Sequence, residues 1–140
     1  MGIVPRVSLI IPKTIDGKLI LSKRANKEPF PNTWVCAIGG KAKKWETYEQ
    51  AGKRETQEEA KLKIEIIEKG RFYYYHPDFE ANYCVFGTRE PVSINALTPD
   101  PREIQYFQAF YESEIKERIN QNKKDFAPTF LESFRVFIEN

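Results

Sequence analysis

The sequence predicts an α/β fold, with a mixed β-sheet held between helices. Three observations predict it. β-branched and aromatic runs alternate with turn residues along most of the chain. Two segments carry clear helical periodicity near the C-terminus, and one polar helix interrupts the strands. The order reads β-β-β-α-β-β-β-β-α-α, and its hairpins exclude a regular βαβ array.

The elements follow in order. "IVPRVSLIIPKT" is β-rich and ends before Asp16-Gly17, a pair that marks a hairpin between apolar runs. "KLILSKR" is expected to return as the partner strand. "KEPFPNT" is a loop punctuated by Pro29 and Pro31, and "WVCAIGG" is a short apolar strand stopping at Gly39-Gly40. Thr47 stands three residues before Gln50, the capping-box spacing, so a helix is expected over Tyr48 to about Ala60. "LKIEII", "GRFYYYHP", "ANYCVFGTRE" and "EIQYFQAFY" read as strands divided by Gly70, Pro77-Asp78 and Pro91. Along the second of these, Phe72, Tyr74 and His76 share one face, Tyr73 and Tyr75 the other. "SEIKERIN" reads as a short helix capped by Ser113. "APTFLESFRVFIEN" reads as a helix with Pro128 in its first turn and a core stripe of Phe130, Phe134, Phe137 and Ile138.

The chain has 140 residues and no linker-like or repeated stretch, so one domain over 1–140 is expected. A net charge of +2 gives no electrostatic case for nucleic-acid binding. The longest apolar run, Val7 to Pro12, is far too short to span a membrane, and no signal-like N-terminus is visible. A cytoplasmic location is therefore expected, with Cys36 and Cys84 as free buried thiols. The single histidine, His76, lacks neighbours at zinc spacing. A homodimer stays open.

The polar helix raises a question. Glu55 and Glu59 are four apart, and Glu55 and Glu58 are three apart, so three carboxylates share one surface. Like charges at these spacings cost a few tenths of a kcal/mol each. A hard divalent cation reverses the sign of that interaction, and Mg²⁺ takes oxygen ligands together with waters and substrate phosphates. Gly52 inside this helix costs about 1 kcal/mol relative to alanine and implies close approach to a neighbouring backbone.

Gly40 is followed after five residues by Glu46, after seven more by Arg54-Glu55, and two further on by Glu58-Glu59. This stretch resembles the Nudix box, the loop-helix signature of the Nudix hydrolases. Gly40, Glu46, Arg54, Glu55, Glu58, Glu59 and Leu62 match the family pattern. Thr56 stands where an aliphatic is usual and Lys61 where glycine is usual. "LSKRANKEPFPNTWVCAIGGK" and "EIQYFQAFYESEI" also look like the family's strands before the box and late in the chain.

The resemblance implies a Nudix-type α/β/α sandwich. It also implies Mg²⁺- or Mn²⁺-dependent hydrolysis of a phosphoanhydride in a nucleoside diphosphate linked to another moiety, or in a (d)NTP. The partner would be a small nucleotide or diphosphate. On this reading Glu55 and Glu59 are metal ligands, Glu58 is a third ligand or the base, and the Gly39 carbonyl completes the metal shell. Arg54 orients a carboxylate and Glu46 braces the loop. Glu103, after "TPDPR", is expected as a further base or ligand, with Arg24 and Lys41 as phosphate contacts. Two alternatives remain. One is a Nudix-like sensor that binds a nucleotide without cleaving it. The other is an isopentenyl-diphosphate isomerase of the same fold, whose catalytic cysteine would fall where this chain has Gly39.

Overall fold

The structure, a computed structural model, describes residues 3–61 and 63–140. The first sheet is built around β1 (Arg6–Ile10). β1 pairs antiparallel with β4 (Ile38–Lys41) and parallel with β6 (Phe79–Thr88), which pairs antiparallel with β5 (Ile66–His76). The order is β4-β1-β6-β5, a mixed sheet. The second sheet is antiparallel: β3 (Trp34–Cys36), β2 (Leu19–Arg24) and β7 (Ile104–Phe110), in the order β3-β2-β7. The helices are α1 (Tyr48–Ala60), α2 (Glu112–Gln121) and α3 (Pro128–Ile138), and Ile94–Ala96 and Lys123–Asp125 form 3-10 turns.

The mixed sheet alternates its faces between two cores. Ile10, Ile38, Cys84 and Phe86 pack in a cluster that includes Ala60 of α1. Val85 and Leu9 pack with Phe130, Phe134 and Val136 of α3 on the other side. Each large apolar side chain buried this way contributes about 1.5–3 kcal/mol. The α3 stripe is Phe130, Phe134, Val136 and Phe137, whereas the expected Ile138, the last residue of the helix, is 37% exposed and lies outside the core cluster.

Several expected strands are rearranged. The turn at Asp16-Gly17 forms, with Gly17 at φ 84° and its N–H donating to the Thr14 carbonyl at 3.0 Å. Yet β1 and β2 enter different sheets. Pro12 has no N–H with which to continue a ladder, and the two arms are joined by the Lys13–Leu19 bridge, an Ile20 N–H bond to the Pro12 carbonyl and a Thr14 N–H bond to the Lys18 carbonyl. "WVCAIGG" is likewise two strands, β3 and β4, divided at Ala37 and belonging to separate sheets. An unbroken apolar run conceals such a change of sheet.

Gly70 does not end a strand. β5 runs through it, and the register against β6 shifts between Glu68 and Gly70. A Cβ there would come within 3.0 Å of Val136 Cβ, so glycine lets α3 lie close. Leu62, at the start of the run read as "LKIEII", lies outside the described residues. Phe72 packs against the α3 core, while Tyr73 and Tyr75 face solvent.

α1 starts as expected: Thr47 Oγ1 accepts from Gln50 N–H at 3.1 Å, and Gln50 Oε1 accepts from Thr47 N–H at 2.8 Å. α2 starts one residue before the expected Ser113 cap, because Glu114 reaches back to accept from Tyr111 N–H at 2.8 Å. The buried face of α1 is Ala51, Gly52, Thr56 and Ala60, all small. Gly52 answers a side chain rather than a neighbouring backbone: its Cβ would meet Ile66 Cδ1 at 2.7 Å. Thr56 is fully buried and its hydroxyl donates to the Gly52 carbonyl at 2.8 Å, so a polar residue fits the aliphatic position.

α1 ends at Lys61, which takes the left-handed conformation (φ 59°, ψ 23°) that glycine adopts without steric cost. Lys61→Gly is therefore expected to stabilise the fold by about 0.5–1 kcal/mol, read as a higher denaturation midpoint with an unchanged slope.

Candidate active site

A cleft of about 440 Å³ opens between the edge of the mixed sheet and the second sheet. Gly39, Gly40 and Lys41 of β4 form one lip together with Glu59 of α1. Arg24 stands at the end of β2, and Glu103 in the turn just before β7. Val35 and Cys36 of β3 line it too, with Thr129, Phe130 and Ser133 of α3.

The loop between β4 and α1 is held by one ionic network. Arg54 Nε donates to Glu46 Oε2 at 2.8 Å and Nη2 donates to Glu46 Oε1 at 2.9 Å. Glu46 Oε1 also accepts from Lys43 N–H at 2.8 Å. The Glu46 side chain is 3% exposed, so this charge is buried and paired. The Arg54 hydrogen bonds and then the Lys43 amide hold its carboxyl well down, to about 2. Arg54 is not spent there alone: Nη1 donates to Glu55 Oε1 at 2.8 Å and Nη2 to the Lys41 carbonyl at 3.1 Å. The expected Arg54–Glu58 contact is a looser ion pair at 3.6 Å.

The three carboxylates of α1 occupy different surroundings. The Glu55 side chain is 16% exposed and lies against Gly40, where any Cβ would collide with its carboxyl group. Burial raises its pKa against the pull of Arg54. The Glu58 side chain is 59% exposed and lies outside the cleft lining. Glu59 lines the cleft and makes no hydrogen bond or ion pair among the described residues. Burial, followed by the charges of Glu55, Asp100 and Glu58, pushes its carboxyl up to about 7.

The sheet register decides where the Gly39 carbonyl points. Ala42 N–H donates to the Arg6 carbonyl at 2.8 Å, which makes Arg6 and Ala42 a bonded pair. In an antiparallel ladder bonded pairs recur every second residue. Ser8–Gly40 and Ile10–Ile38 are then bonded, and Gly39 and Lys41 turn their carbonyls outward from the edge strand. The Lys41 carbonyl is taken by Arg54.

Other candidate residues are placed less directly. The Glu103 carboxylate pairs with Lys27 Nζ at 2.6 Å across the cleft from Glu59. Arg24 lines the cleft, but its Nε and Nη2 donate to the carbonyls of Pro29 (2.6 Å) and Glu28 (3.2 Å). Sequence reasoning missed Asp100, whose charge reaches Glu59 although "TPDPR" drew attention to that loop. It also missed Thr129, Phe130 and Ser133, which carry no local signal because they meet the cleft only through the fold.

Among the described residues, no three acidic, histidine or cysteine side chains converge tightly enough to hold a metal alone. Mg²⁺ commonly binds through one or two carboxylates and completes its shell with water and phosphate oxygens. Glu59 without a partner, Glu55 beside it and an outward Gly39 carbonyl make an all-oxygen donor set that fits such an ion.

The Glu46–Arg54 pair carries a pH signature. Because the folded pKa of Glu46 lies below its ordinary value near 4.5, the pair stabilises the fold above that value. Its contribution disappears as pH falls from about 4.5 toward about 2. Glu46→Gln should therefore unfold more easily than wild type at pH 7, and thermal melts should show the gap closing on acidification.

The NUDIX domain family matches residues 4–130 of the chain. An uncharacterized Nudix hydrolase of Listeria monocytogenes is 34% identical over 89 residues, which is 63% of this chain and 52% of that protein. The chain thus spans about half the length of that relative. An isopentenyl-diphosphate Delta-isomerase of Brevibacterium linens is 31% identical over 127 residues, 85% of this chain and 68% of that protein. Among solved structures, the NUDIX domain of Shewanella oneidensis NrtR complexed with ADP ribose superposes with a TM-score of 0.73 at 13% identity, covering 99% of this chain and 89% of that one. With the α/β architecture and the loop-helix signature that it positions, these matches show that the chain belongs to the Nudix family.

Proposed function

We propose that the chain is a Mg²⁺- or Mn²⁺-dependent hydrolase acting on a small phosphoanhydride: a nucleoside diphosphate linked to another moiety, or a (d)NTP. The observation that carries this reading is Glu59, a carboxylate without a partner among the described residues, inside the cleft and crowded by other acids. Negative charge concentrated there suits a cation and, through it, a polyphosphate. The NrtR domain holds ADP ribose, itself a nucleoside diphosphate joined to a sugar, on a similar fold.

When bound, the ion would neutralise charge on the diphosphate and lower the pKa of water, so that a carboxylate can take its proton more easily. Glu59, Glu55 and the Gly39 carbonyl would hold it. Arg54 keeps Glu55 in position through the 2.8 Å bond. Glu58, exposed beside them, takes the proton of the attacking water or adds a ligand, and Glu103 across the cleft is the second acid available for that proton. Lys41 meets the phosphates at the lip. Arg24 keeps Nη1 for a phosphate oxygen while its other nitrogens hold the Pro29 loop. The two free cysteines are buried, as suits a reducing cytoplasm. Among the described residues no helix is long and apolar enough to cross a membrane.

The Brevibacterium relative supports a second reading, isomerisation of isopentenyl diphosphate. That chemistry moves protons on carbon and would need an acid and a base beside the substrate's alkenyl group. Gly39 stands where the isomerase's cysteine is expected, and the nearest cleft thiol, Cys36, is pushed up to about 12 by burial. The hydrolase reading is the better supported.

A phosphate-release screen with Mg²⁺ over nucleoside diphosphate derivatives, dinucleoside polyphosphates, nucleotide sugars and (d)NTPs should find a substrate. Glu59→Gln and Glu58→Gln should each lower kcat by about 100-fold or more. Turnover that survives both changes would remove the mechanism, and conversion of isopentenyl diphosphate in a parallel assay would move the assignment to the isomerase. Gly40→Ala should fold normally yet lose about 100-fold in kcat, because the added methyl group displaces the Glu55 carboxyl.

A further inference from the structure

A second cavity of about 500 Å³ adjoins the cleft on the same face of the mixed sheet. The two share Val7, Lys41 and Tyr83. The register explains why. Lys41, Val7, Tyr83 and Phe72 lie in one row across β4, β1, β6 and β5. Gly39 and Leu9 lie one pleat repeat to one side of that row, in the cleft. Pro5 and Ala81 lie one repeat to the other side, in the annexe. The outer rows of the two cavities are therefore about 13 Å apart along the strands, a span that a sugar and its phosphates can bridge.

The annexe is walled by rigid and aromatic groups. Phe79 stacks on His76 with ring centroids 5.0 Å apart and on Tyr74 at 6.0 Å. Phe30 packs edge-on against both His76 and Phe79. Pro29 closes one side, held there by the Arg24 Nε bond to its carbonyl. Arg24 thus acts on both cavities, lining the cleft and positioning a wall of the annexe. Tyr83 stacks on Phe72 at 4.8 Å and forms part of the ridge between them.

Charge is graded across the annexe. Lys41 stands at the inner end, toward the Gly39–Glu59 lip, and its ammonium group is in no ion pair among the described residues. Asp78 stands at the outer end, in the turn between β5 and β6, with its side chain 82% exposed. Glu80 also borders the cavity, but its carboxylate accepts from the Tyr73 hydroxyl. A nucleotide has the same polarity, with phosphates at one end and a base at the other. A hydrocarbon chain would satisfy the aromatic wall but not the carboxylate at its rim.

Resting on the hydrolase reading above, we infer that the annexe receives the nucleobase of the substrate, favouring a base with an exocyclic amine that Asp78 can accept from. The diphosphate then crosses Lys41 to reach the Gly39–Glu59 lip, and Phe79 offers the flat surface for stacking. Lys41 positions the phosphates at the junction.

Two measurements test this. In the first, AMP is titrated into ¹⁵N-labelled wild-type protein without divalent ion, so no turnover is needed. The amides of Phe79 and Ala81 should shift, and Phe79→Ala should weaken AMP binding about tenfold. In the second, ADP-, CDP- and UDP-linked sugars are compared in steady state. Phe79→Ala should raise KM about tenfold with kcat within twofold, and the exposed Asp78→Lys should lower the preference for the amine-bearing bases over uracil severalfold. AMP that shifts no amide in this region, a Phe79→Ala enzyme with wild-type KM, or an Asp78→Lys enzyme with unchanged base preference would overturn the inference. Because Asp78 is exposed, its variant decides the matter even if Phe79→Ala fails to fold. Preference of the wild type for a prenyl diphosphate whose KM depends on Phe79 would also overturn it. If AMP binds in the annexe while no member of the panel is cleaved, the nucleobase site stands and the hydrolase reading falls.

Discussion

The buried Glu46–Arg54 pair is the interaction on which the site depends. Arg54 uses both edges of its guanidinium: one side grips Glu46, and the other reaches Glu55 and the Lys41 carbonyl. A single side chain thereby joins the glycine strand, the loop after it and the acidic helix. Glu46 adds the Lys43 amide, so its buried charge has a complete set of donors. Removing either partner would leave an uncompensated charge in a nearly closed position, the costly case for ion pairs. Lysine could not replace Arg54, because a point charge lacks the planar fork that serves two carboxylates at once.

Around this brace, small residues set the distances. Ala51, Gly52, Thr56 and Ala60 let α1 lie close to the sheet, and Gly40 leaves room for the Glu55 carboxyl. A larger residue at any of these places would lift the helix or push its acids aside. β4 is an edge strand, so half of its carbonyls are free of the ladder, and the register gives that freedom to Gly39 and Lys41. The cleft acquires oxygen donors from backbone and side chain without a dedicated cage of ligands.

The same geometry stores electrostatic strain. Glu55, Glu58 and Glu59 repel one another, and Glu59 is partly withdrawn from water as well. Only Glu55 receives a hydrogen bond from Arg54; Glu59 is left without one among the described residues. Unequal pairing of neighbouring acids is what separates a carboxylate that holds the scaffold from one that stays available to a cation.

By itself the sequence determined the local chemistry: the spacing of the acids on one helix, the Thr47–Gln50 cap, the turn at Gly17 and the apolar stripe of the last helix. Each depends on residues within a few positions of one another, where periodicity and turn preferences act directly. Tertiary structure decided what those acids face. The switch of sheet at Ala37, the divergence of β1 and β2 after Pro12, and the passage of β5 through Gly70 are invisible to local pattern, because apolar continuity does not say which sheet a strand joins. The cleft walls from α3, the charge of Asp100 beside Glu59 and the aromatic annexe arise from contacts between distant segments. Long-range packing alone brings such segments together, and so it alone gives the acidic helix a cleft to line.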